Sequence, residues 1–440
     1  MRVSRLLDSV MYSWKTVLVT IGLLFGLKVW NPYLIENITW SWFDFLHQQH
    51  EIEKVEEIVL VDIDEKSLEK YGQYPWPRDI YADIMMESSY TNSHVFTQLF
   101  KEPDRFDGDA KFAEGLINRL TVLSAAPTIQ KDTGSAPIVR TSVFGGGEIK
   151  DHIWNFSGIA SPVEMLKQNT YGVGVTVATP SISGTPNFDG TIRSAPLIVS
   201  ANEQIYPSVA LEVLRVFGDH KNYQTRVTPE VGIEWIRMGR AAPIETTPTA
   251  DIQIAYWYDF DRISAADLSE SDLEGKILIW GLTAEGLNNP SSTPVGVMYP
   301  HEVQASILQS VLQEVRIQQS YYLEFLSLVL LLSVLLGMLV MVYKLPTTFA
   351  GIVGLGVVGF QVGGSLYWWS SSLVLFDTFY SSIASMIVFG HASFNKYYKT
   401  YQLKEQIKMQ FQKYLSPDMV DELAKNPEKL RLGGERKEMT

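Results

Sequence analysis

Charged side chains almost disappear from one long stretch of the sequence. Between Tyr322 and Phe394 only Glu324, Lys344 and Asp377 carry a charge. A helix needs about 20 mostly apolar residues to cross the hydrocarbon core of a bilayer, and this stretch holds several such segments separated by short turns. The pattern predicts membrane helices over residues 322–343, 347–369 and 373–394.

A weaker apolar segment, residues 17–35, lies near the N-terminus. Lys28 interrupts it, so this side chain must reach the interface or form an ion pair, and Pro32 marks the end of the segment. A cleaved signal peptide is the alternative, but no small-residue cleavage site follows the apolar core. We predict the first membrane helix here, after a cytoplasmic N-terminus of residues 1–16.

The basic residues next to these segments predict the orientation, because Lys and Arg favour the cytoplasmic side of a membrane. They precede the first span, separate the second span from the third and follow the fourth, and the turn over residues 370–372 has none. We therefore expect a multi-pass protein of a bacterial-type inner or plasma membrane, in contact with the lipid bilayer, with both termini cytoplasmic and residues 36–321 outside. The basic residues are Arg2, Arg5, Lys15, Lys344, Lys396 and Lys399.

The third predicted span is rich in glycine between Gly351 and Gly364. Small residues let membrane helices approach closely. We expect this face to pack within a three-helix bundle, and a seam between two copies of the chain is the alternative.

The region between the first two spans has the charge density of a soluble domain. Its apolar runs alternate with amphipathic stretches, which is typical of an α/β sheet covered by helices. The net charge of −13 argues against a nucleic-acid partner, and the lack of cysteine excludes disulfides and thiolate zinc sites. The predicted strands are 57–63, 94–100, 121–127, 172–178, 195–200, 251–257 and 276–282, and the predicted helices are 78–88, 109–120, 206–217 and 301–315.

Polar motifs follow several predicted strands, and ligand sites in α/β folds form at strand ends. Asp62 and Asp64 leave one strand on the same face, where they could hold a cation or an amine. The alternative is that Asp64 caps the next helix. Thr283 lies in a Gly-Leu-Thr loop that could cradle a small anion, although the loop lacks the spacing of a nucleotide-binding loop. No metal site is expected, because the histidines have no ligand spacing.

Two arginines complete the set of candidate residues. Arg78 follows Tyr-Pro-Trp-Pro, and an ion pair with a nearby aspartate is the favoured interpretation over a ligand contact. Arg193 follows the turn at Asp189, where it could bind an acidic group or stay solvated. The candidates for binding an unknown extracellular ligand or partner are Asp62, Asp64, Arg78, Asp189, Arg193 and Thr283.

Taken in order, these motifs resemble the second class of CHASE domains, which are extracellular sensor domains associated with cyclases and histidine kinases. The resemblance covers residues 51–319, and the family's usual ending of three membrane helices is matched by residues 322–394. It implies a periplasmic or extracellular sensor of α/β fold over residues 36–321. The matching motifs are VDIDEKS (61–67), YPWPR (74–78), FDGTIRSAPL (188–197), YPSVALEVL (206–214) and the run that starts with GKILIWGLTAEGL (275–287) and continues to residue 308.

The sequence departs from the family pattern at three places. Asn288 and Asn289 stand where an aspartate usually follows the Thr-Ala loop. Gln98 also replaces a usual aspartate, and the run His-Glu-Val-Gln-Ala over 301–305 replaces Gly-Val-Glu-x-His-Ala. If these positions bind a ligand in the family, binding here is expected to be altered or lost.

Residues 395–415 follow the last span and predict a cytoplasmic helix with two apolar stripes. Either stripe could pair with itself in a parallel signalling coiled coil, which would make the protein a homodimer. A simple amphipathic juxtamembrane helix is the alternative. The residues assigned to the coiled coil are Tyr397, Tyr401, Ile407, Phe411 and Tyr414.

The segment over residues 416–440, with the preceding KYL, resembles the start of the catalytic domain of class III nucleotide cyclases, where Leu-Ser-Pro and Gly-Gly-Glu-Arg-Lys lead into the first catalytic strand. The resemblance implies the sensory and transducing part of a receptor adenylate cyclase, which converts ATP to cyclic AMP and pyrophosphate. We expect no catalytic residues and no cofactor in these residues, because the Mg or Mn ions would belong to a catalytic domain beyond Thr440. The alternatives are the receptor part of a histidine kinase or another output, and a membrane-anchored binding protein.

Overall fold

The computed structural model describes residues 12–117, 119–130, 140–178, 181–182, 185–186, 189–270, 273–317 and 321–412. They divide into two compact units. The helical unit takes its residues from the segments up to Trp40, 321–368 and from Phe376 onwards. The outer unit takes its residues from 41–320 and 369–375.

Two helices open the described part of the chain: α1 (Trp14–Trp30) and α2 (Tyr33–Gln48). Asn31 between them has a left-handed backbone with φ of 47°. Pro32 cannot donate a backbone hydrogen bond, so the helix breaks here, and α1 and α2 meet at 76°. The predicted span over 17–35 therefore contains a bend, and the chain continues as a helix where the sequence predicted the outer domain to begin.

The outer unit is built from many short elements. Its strands are β1 Glu53–Ile63, β2 Ser93–Phe96, β3 Thr121–Thr128, β4 Arg140–Phe144, β5 Asn155–Phe156, β6 Gly158–Ala160, β7 Gly172–Val175, β8 Ser181–Ile182, β9 Thr185–Pro186, β10 Ser194–Pro196, β11 Ile198–Ala201, β12 Gln204–Pro207, β13 Asn222–Thr228, β14 Gly232–Met238, β15 Ile244–Glu245, β16 Asp251–Gln253, β17 Tyr258–Ser264, β18 Ile277–Leu282, β19 Ser291–Thr293 and β20 Gly296–Met298. Its helices are α3 Glu65–Tyr71, α4 Arg78–Glu87, α5 Asp109–Ile117, α6 Glu164–Asn169, α7 Val209–Phe217 and α8 Pro300–Leu312.

A seven-stranded sheet forms the centre of this unit. Its spatial order is β17-β1-β18-β2-β3-β6, with β7 also paired to β3. All of these pairs are parallel except that of β3 with β6. One face buries Val61, Ile63 and Trp280 against Tyr81 of α4 and Phe112 of α5. The predicted α/β class of this domain is confirmed.

The sequence did not predict two parts of the sheet structure. The strand expected over 251–257 is shortened to β16, and the edge strand β17 begins only at Tyr258 and was not predicted, because Asp259, Asp261 and Arg262 interrupt its apolar pattern. The four-stranded sheet of order β15-β14-β13-β4 was not predicted either. Its strands are only partly buried, so their sequences lack the continuous apolar runs of central parallel strands.

Three long helices follow the outer unit: α9 (Tyr321–Lys344), α10 (Thr347–Ser372) and α11 (Thr378–Phe411). Within the described residues, α9 and α10 are long and apolar enough to cross a membrane, and the bent pair of α1 and α2 makes a third candidate. Helix α11 does not meet that test. It also begins later than the span predicted over 373–394, because the carboxylate of Asp377 caps it by accepting a hydrogen bond from Tyr380 N at 3.3 Å. Four spans therefore stay a prediction.

Helices α1, α9 and α11 share one apolar core, which includes Ile21, Leu335 and Val388. Lys28, predicted to need a partner, pairs with Asp377. The glycines of α10 were expected to pack closely against neighbouring helices, and most of them do not. A Cβ atom at Gly354 would meet Phe389 at 3.3 Å, but the other glycines of α10 would meet nothing within 4 Å. These glycines do not provide the close packing predicted within a bundle.

Asp251 in β16 is a buried carboxyl group without a cationic partner among the described residues. Only 3% of it is exposed. It accepts hydrogen bonds from Trp154 Nε1 at 3.3 Å, from the Thr247 hydroxyl at 3.4 Å and from the Thr249 hydroxyl. Burial raises the pKa of Asp251 from 3.8 to about 6, although these hydrogen bonds oppose the shift.

This pKa predicts how stability depends on pH. Between about pH 4 and pH 6 the folded protein keeps a proton on Asp251 that the unfolded chain releases. Stability therefore falls as the pH rises through this window, by about 3 kcal/mol in total, and stays lower above it. Asp251→Asn is expected to remove that fall and to raise stability above the window.

The measurement is the thermal unfolding midpoint of the full chain in lipid nanodiscs, from about pH 4 to about pH 8. The matched control is Asp267→Asn, which removes an exposed carboxylate paired with Lys66 at 2.7 Å. The control should keep the pH dependence of the parent. An unchanged pH profile for Asp251→Asn would show that this carboxyl group titrates normally.

Candidate functional site

The carboxyl end of β18 is where the topology of the sheet favours a ligand site in the outer unit. Of the flanking strands, β1 is followed by α3 and α4, and β2 by α5, with Tyr81 of α4 and Phe112 of α5 packed on one face of the sheet. The helix that follows β18 is α8, and its His301 lies against Gly281 on the other face. In open α/β sheets, ligands bind where neighbouring strands send their connections to opposite faces. On each side of β18, the neighbouring strand sends its connection to the opposite face, so the topology favours a ligand site on both sides.

Asp62, at the end of β1, is the centre of an ionic network. Arg262 of β17 donates to its two oxygens at 2.8 and 2.9 Å, and His301 Nε2 donates at 2.9 Å. Glu302 also pairs with Arg262, and it accepts a hydrogen bond from Tyr299 N at 2.5 Å at the start of α8. Burial opposes ionisation of Asp62, but the hydrogen bonds from His301 and Arg262 outweigh it and lower its pKa.

These contacts change the interpretation of Asp62. The predicted cation or amine is replaced by two side chains of the protein itself, Arg262 and His301. Neither was selected from the sequence, because they are separated from Asp62 by about two hundred residues and no motif links them. Asp62 thus ties β1, β17 and α8 together at the edge of the sheet.

Asp64 lies two residues further on and caps α3. It accepts hydrogen bonds from Ser67 N at 2.9 Å, from the Ser67 hydroxyl at 2.7 Å and from the Ser264 hydroxyl at 2.7 Å. Burial opposes ionisation, but the hydrogen bonds from the two serines prevail and lower the pKa of Asp64. The structure therefore shows the capping alternative rather than a carboxylate open to a ligand.

Three side chains near the end of β18 carry buried polar atoms that have no hydrogen-bond partner among the described residues. Both amide atoms of Gln98, which is 7% exposed, make no hydrogen bond. The same holds for the hydroxyl of Thr283 and for Nδ1 of His301. Backbone N–H groups of Thr283 and Ala284 both donate to the carbonyl oxygen of Ile63 at 3.1 Å, which closes the gap to β1. The free polar atoms are those a small ligand would contact, since buried polar groups are usually paired.

Only Thr283 of these three was a predicted site residue. Gln98 and His301 were noticed only as departures from the family pattern. The signal that could have found Gln98 is its position just after β2, since a strand end next to a central strand is where α/β sites form. Among the described residues no group of three or more His, Asp or Glu side chains could hold a metal ion.

Arg78 lies away from this edge in a buried ion pair. It pairs with Asp109, donates to the carbonyl oxygen of Glu102, and lies 5.3 Å from the ring of Phe100. Asp104 accepts from the backbone N–H of Arg78 at 3.1 Å. The structure places Arg78 in the structural pair that the sequence favoured.

Arg193 is held between two aspartates. It donates to Asp44 at 2.8 and 2.6 Å and to Asp189 at 3.2 and 2.8 Å, and only 2% of it is exposed. Burial opposes ionisation of Asp189, but the hydrogen bonds from Arg193 outweigh it and lower its pKa. Asp44 comes from α2, a segment that the sequence did not connect with this motif. The six predicted ligand residues thus fall in three separate places.

Of the residues assigned to the coiled coil, Tyr397, Tyr401, Ile407 and Phe411 belong to the C-terminal part of α11. Tyr397 is 69% exposed, and Tyr401 and Ile407 are also exposed. The rings of Tyr397 and Tyr401 stack with centroids 6.5 Å apart. Phe411 is the last residue of α11, and Tyr414 lies outside the described residues.

The comparison with protein families gives one match. Residues 16–343 match the CHASE2 domain family. No curated protein and no solved structure matches the chain significantly. The matched range includes α1, α2, the whole outer unit and nearly all of α9.

Proposed function

Because the chain belongs to the CHASE2 family and so carries the sensory domain of a signalling receptor, we propose that it is the sensing and transducing part of a receptor adenylate cyclase. In this proposal the outer unit binds a signal outside the cell, and the helices pass the change to a cytoplasmic output. The adenylate cyclase output rests on the sequence of residues 416–440, which resembles the start of a class III catalytic domain.

The observation that supports transduction is the continuity of α11. This helix runs for 34 residues without a break, a length of about 50 Å. Its first turn is fixed to α1 through Asp377 and Lys28. Further along, Lys396 Nζ donates to the carbonyl oxygens of Val342 and Leu345 at 2.8 and 2.6 Å, where α9 ends. A shift of the helices is therefore passed to the exposed end of α11 rather than absorbed in a loop.

The exposed residues Tyr397 and Tyr401 of one predicted stripe, and Ile407 of the other, support a homodimer. An aromatic and apolar stripe on a solvent-exposed helix end buries itself when two copies pair as a coiled coil. Class III cyclases form their active sites between two catalytic domains, so such a pair would set their alignment. The signal itself must bind one alignment more tightly than the other, since a ligand shifts an equilibrium only by its difference in affinity.

The test is an assay of membranes that contain the protein with its full coding sequence. We expect conversion of ATP to cyclic AMP in the presence of Mg²⁺ or Mn²⁺. Inserting two residues after Leu403 should change the rate strongly, because at 3.5 residues per turn it rotates the following part of the helix by about 200°. A full heptad at the same place adds two complete turns and should preserve the rate.

Two results would contradict parts of this proposal. Membranes without cyclase activity, or with autophosphorylation instead, would overturn the adenylate cyclase output and favour a kinase receptor. Equal effects of the two insertions would overturn the coiled coil as the coupling element.

A further inference from the structure

The helical unit contains a partly open cavity that the proposed signalling role does not use. It lies between α9, α10 and α11 and has a volume of about 470 Å³. Small-molecule sites in proteins have volumes of about 300–1,000 Å³. On α10 the lining runs from Val353 to Trp368, which corresponds to about 22 Å along the helix axis. The cavity is therefore long and narrow, and it spans more than half of the roughly 30 Å hydrocarbon core of a bilayer.

The cavity exists because α10 does not close onto its neighbours. Gly356 and Gly364 both line it, and a Cβ atom at either position would meet nothing within 4 Å. Leu330, Leu331 and Val334 of α9 form the facing wall. Because the lining is mostly apolar, it favours a hydrocarbon chain. Protein interiors are usually close-packed and leave few voids of this size, which also favours an occupant.

Polar groups lie at one end of the cavity and partway along it. Ser381 donates to Gln361 Oε1 at 2.5 Å, and Ser365 donates to the carbonyl oxygen of Phe376 at 3.1 Å, so these groups are paired. Thr378 lines the same end, and its buried hydroxyl has no hydrogen-bond partner among the described residues. It can donate to an oxygen atom of a bound molecule. The site therefore has an apolar body and a hydrogen-bonding end.

The charges at the polar end of the cavity determine which head group is favoured on a bound molecule that has a hydrocarbon chain. Asp377 also lines the cavity, and its carboxylate repels an anionic head group. Lys28, the cation near Asp377, is already held by that carboxylate and donates to the hydroxyl of Thr39 at 3.1 Å. A phosphate or a fatty-acid carboxylate would lose its hydration here without gaining a free cation. An uncharged oxygen avoids this cost.

We propose that this cavity binds an uncharged single-chain amphiphile, such as a long-chain alcohol, with its chain along α10 and its oxygen at Thr378. The proposal rests on a membrane location of α9 and α10 and is independent of the cyclase output. It assigns a second ligand site, apart from the sheet edge of the outer unit.

The probe is hexadecanol that carries a photoreactive diazirine on its chain. The full chain is reconstituted in nanodiscs and illuminated, and the labelled peptides are mapped by mass spectrometry. Unlabelled hexadecanol should compete for labelling of α10 and α11, and hexadecanoate at neutral pH should compete at least about tenfold more weakly. Labelling that simply follows the probe concentration, without competition, would mean ordinary contact with bulk lipid and would overturn the proposal.

Two glycines of α10 offer a matched pair of variants. Gly356→Leu fills the cavity and should reduce competed labelling about tenfold or more. Gly359→Leu adds the same side chain to the same helix, but Gly359 does not line the cavity and has nothing within 4 Å, so labelling should be unchanged. Thr378→Val removes the hydroxyl with little change of shape and should narrow the preference for the alcohol over the acid.

Two other outcomes for these glycine variants would contradict binding in the cavity. If Gly359→Leu, but not Gly356→Leu, abolishes labelling and also reduces chemical cross-linking of two copies, the open face of α10 is a dimer seam. Equal labelling in both variants excludes the cavity as the site.

Discussion

Replacing Arg193 by Met is expected to destabilise the protein by about 3 kcal/mol, because breaking a buried ion pair leaves its other members without a partner. Arg193 pairs with both Asp44 and Asp189, at 2.6 and 2.8 Å. Both aspartates stay partly accessible to water, with side-chain exposures of 22% and 26%, so the cost lies at the lower end of the range for buried pairs. Met keeps most of the volume of the side chain, so packing is changed little.

The measurement is again thermal unfolding of the full chain in nanodiscs, where the variant should lose about 3–5 °C. Arg226→Met is the matched control. Arg226 pairs with one carboxylate, that of Glu234, at 3.2 Å on the surface, and its loss should cost less than about 1 kcal/mol. Equal losses for the two variants would mean that the Arg193 pair contributes no more than a surface salt bridge.

Adding one methyl group at Gly281 is expected to have an effect of similar size. A Cβ atom there would lie 2.0 Å from Cγ and Nδ1 of His301, far inside any real contact. The ring cannot move aside freely, because Asp62 holds its other nitrogen. Gly281→Ala should therefore cost about 3 kcal/mol, the upper part of the usual range for overpacking, and should disturb the junction of β18 with α8.

A double-mutant cycle separates the clash from a general intolerance of β18. If the clash with His301 is the cause, adding His301→Ala to Gly281→Ala should recover much of the loss, so that the two changes are far from additive. Gly115→Ala is the control for the methyl group itself. A Cβ atom there would meet Ala82 at 3.8 Å, an ordinary contact, and alanine in α5 should gain up to about 1 kcal/mol.

The α/β class and the central strands could be predicted because buried parallel strands are continuous apolar runs. The runs around Val59 in β1 and Ile279 in β18 are examples. Strand β17 could not be predicted in this way. It is an edge strand with alternating charges, and Arg262 in it is explained only by Asp62 on the neighbouring strand. Local pattern carries no information about a partner so distant along the chain.

The candidate site shows the same limit more strongly. The sequence identified Asp62, Asp64 and Thr283 because they follow strands. It could not distinguish a carboxylate that awaits a ligand from one already satisfied, since that depends on which distant donors reach it. Gln98 shows the converse, because a glutamine after a strand is unremarkable until its burial without partners is seen.

The ion pair between Lys28 and Asp377 has a consequence for biogenesis. The two residues are 349 positions apart, so during synthesis Lys28 leaves the ribosome on the order of tens of seconds before its partner exists. In the proposed topology α1 carries an uncompensated charge until then, so its insertion into the bilayer is completed only when α11 arrives. A mutation of Asp377 should then appear first as a defect in the membrane insertion of α1.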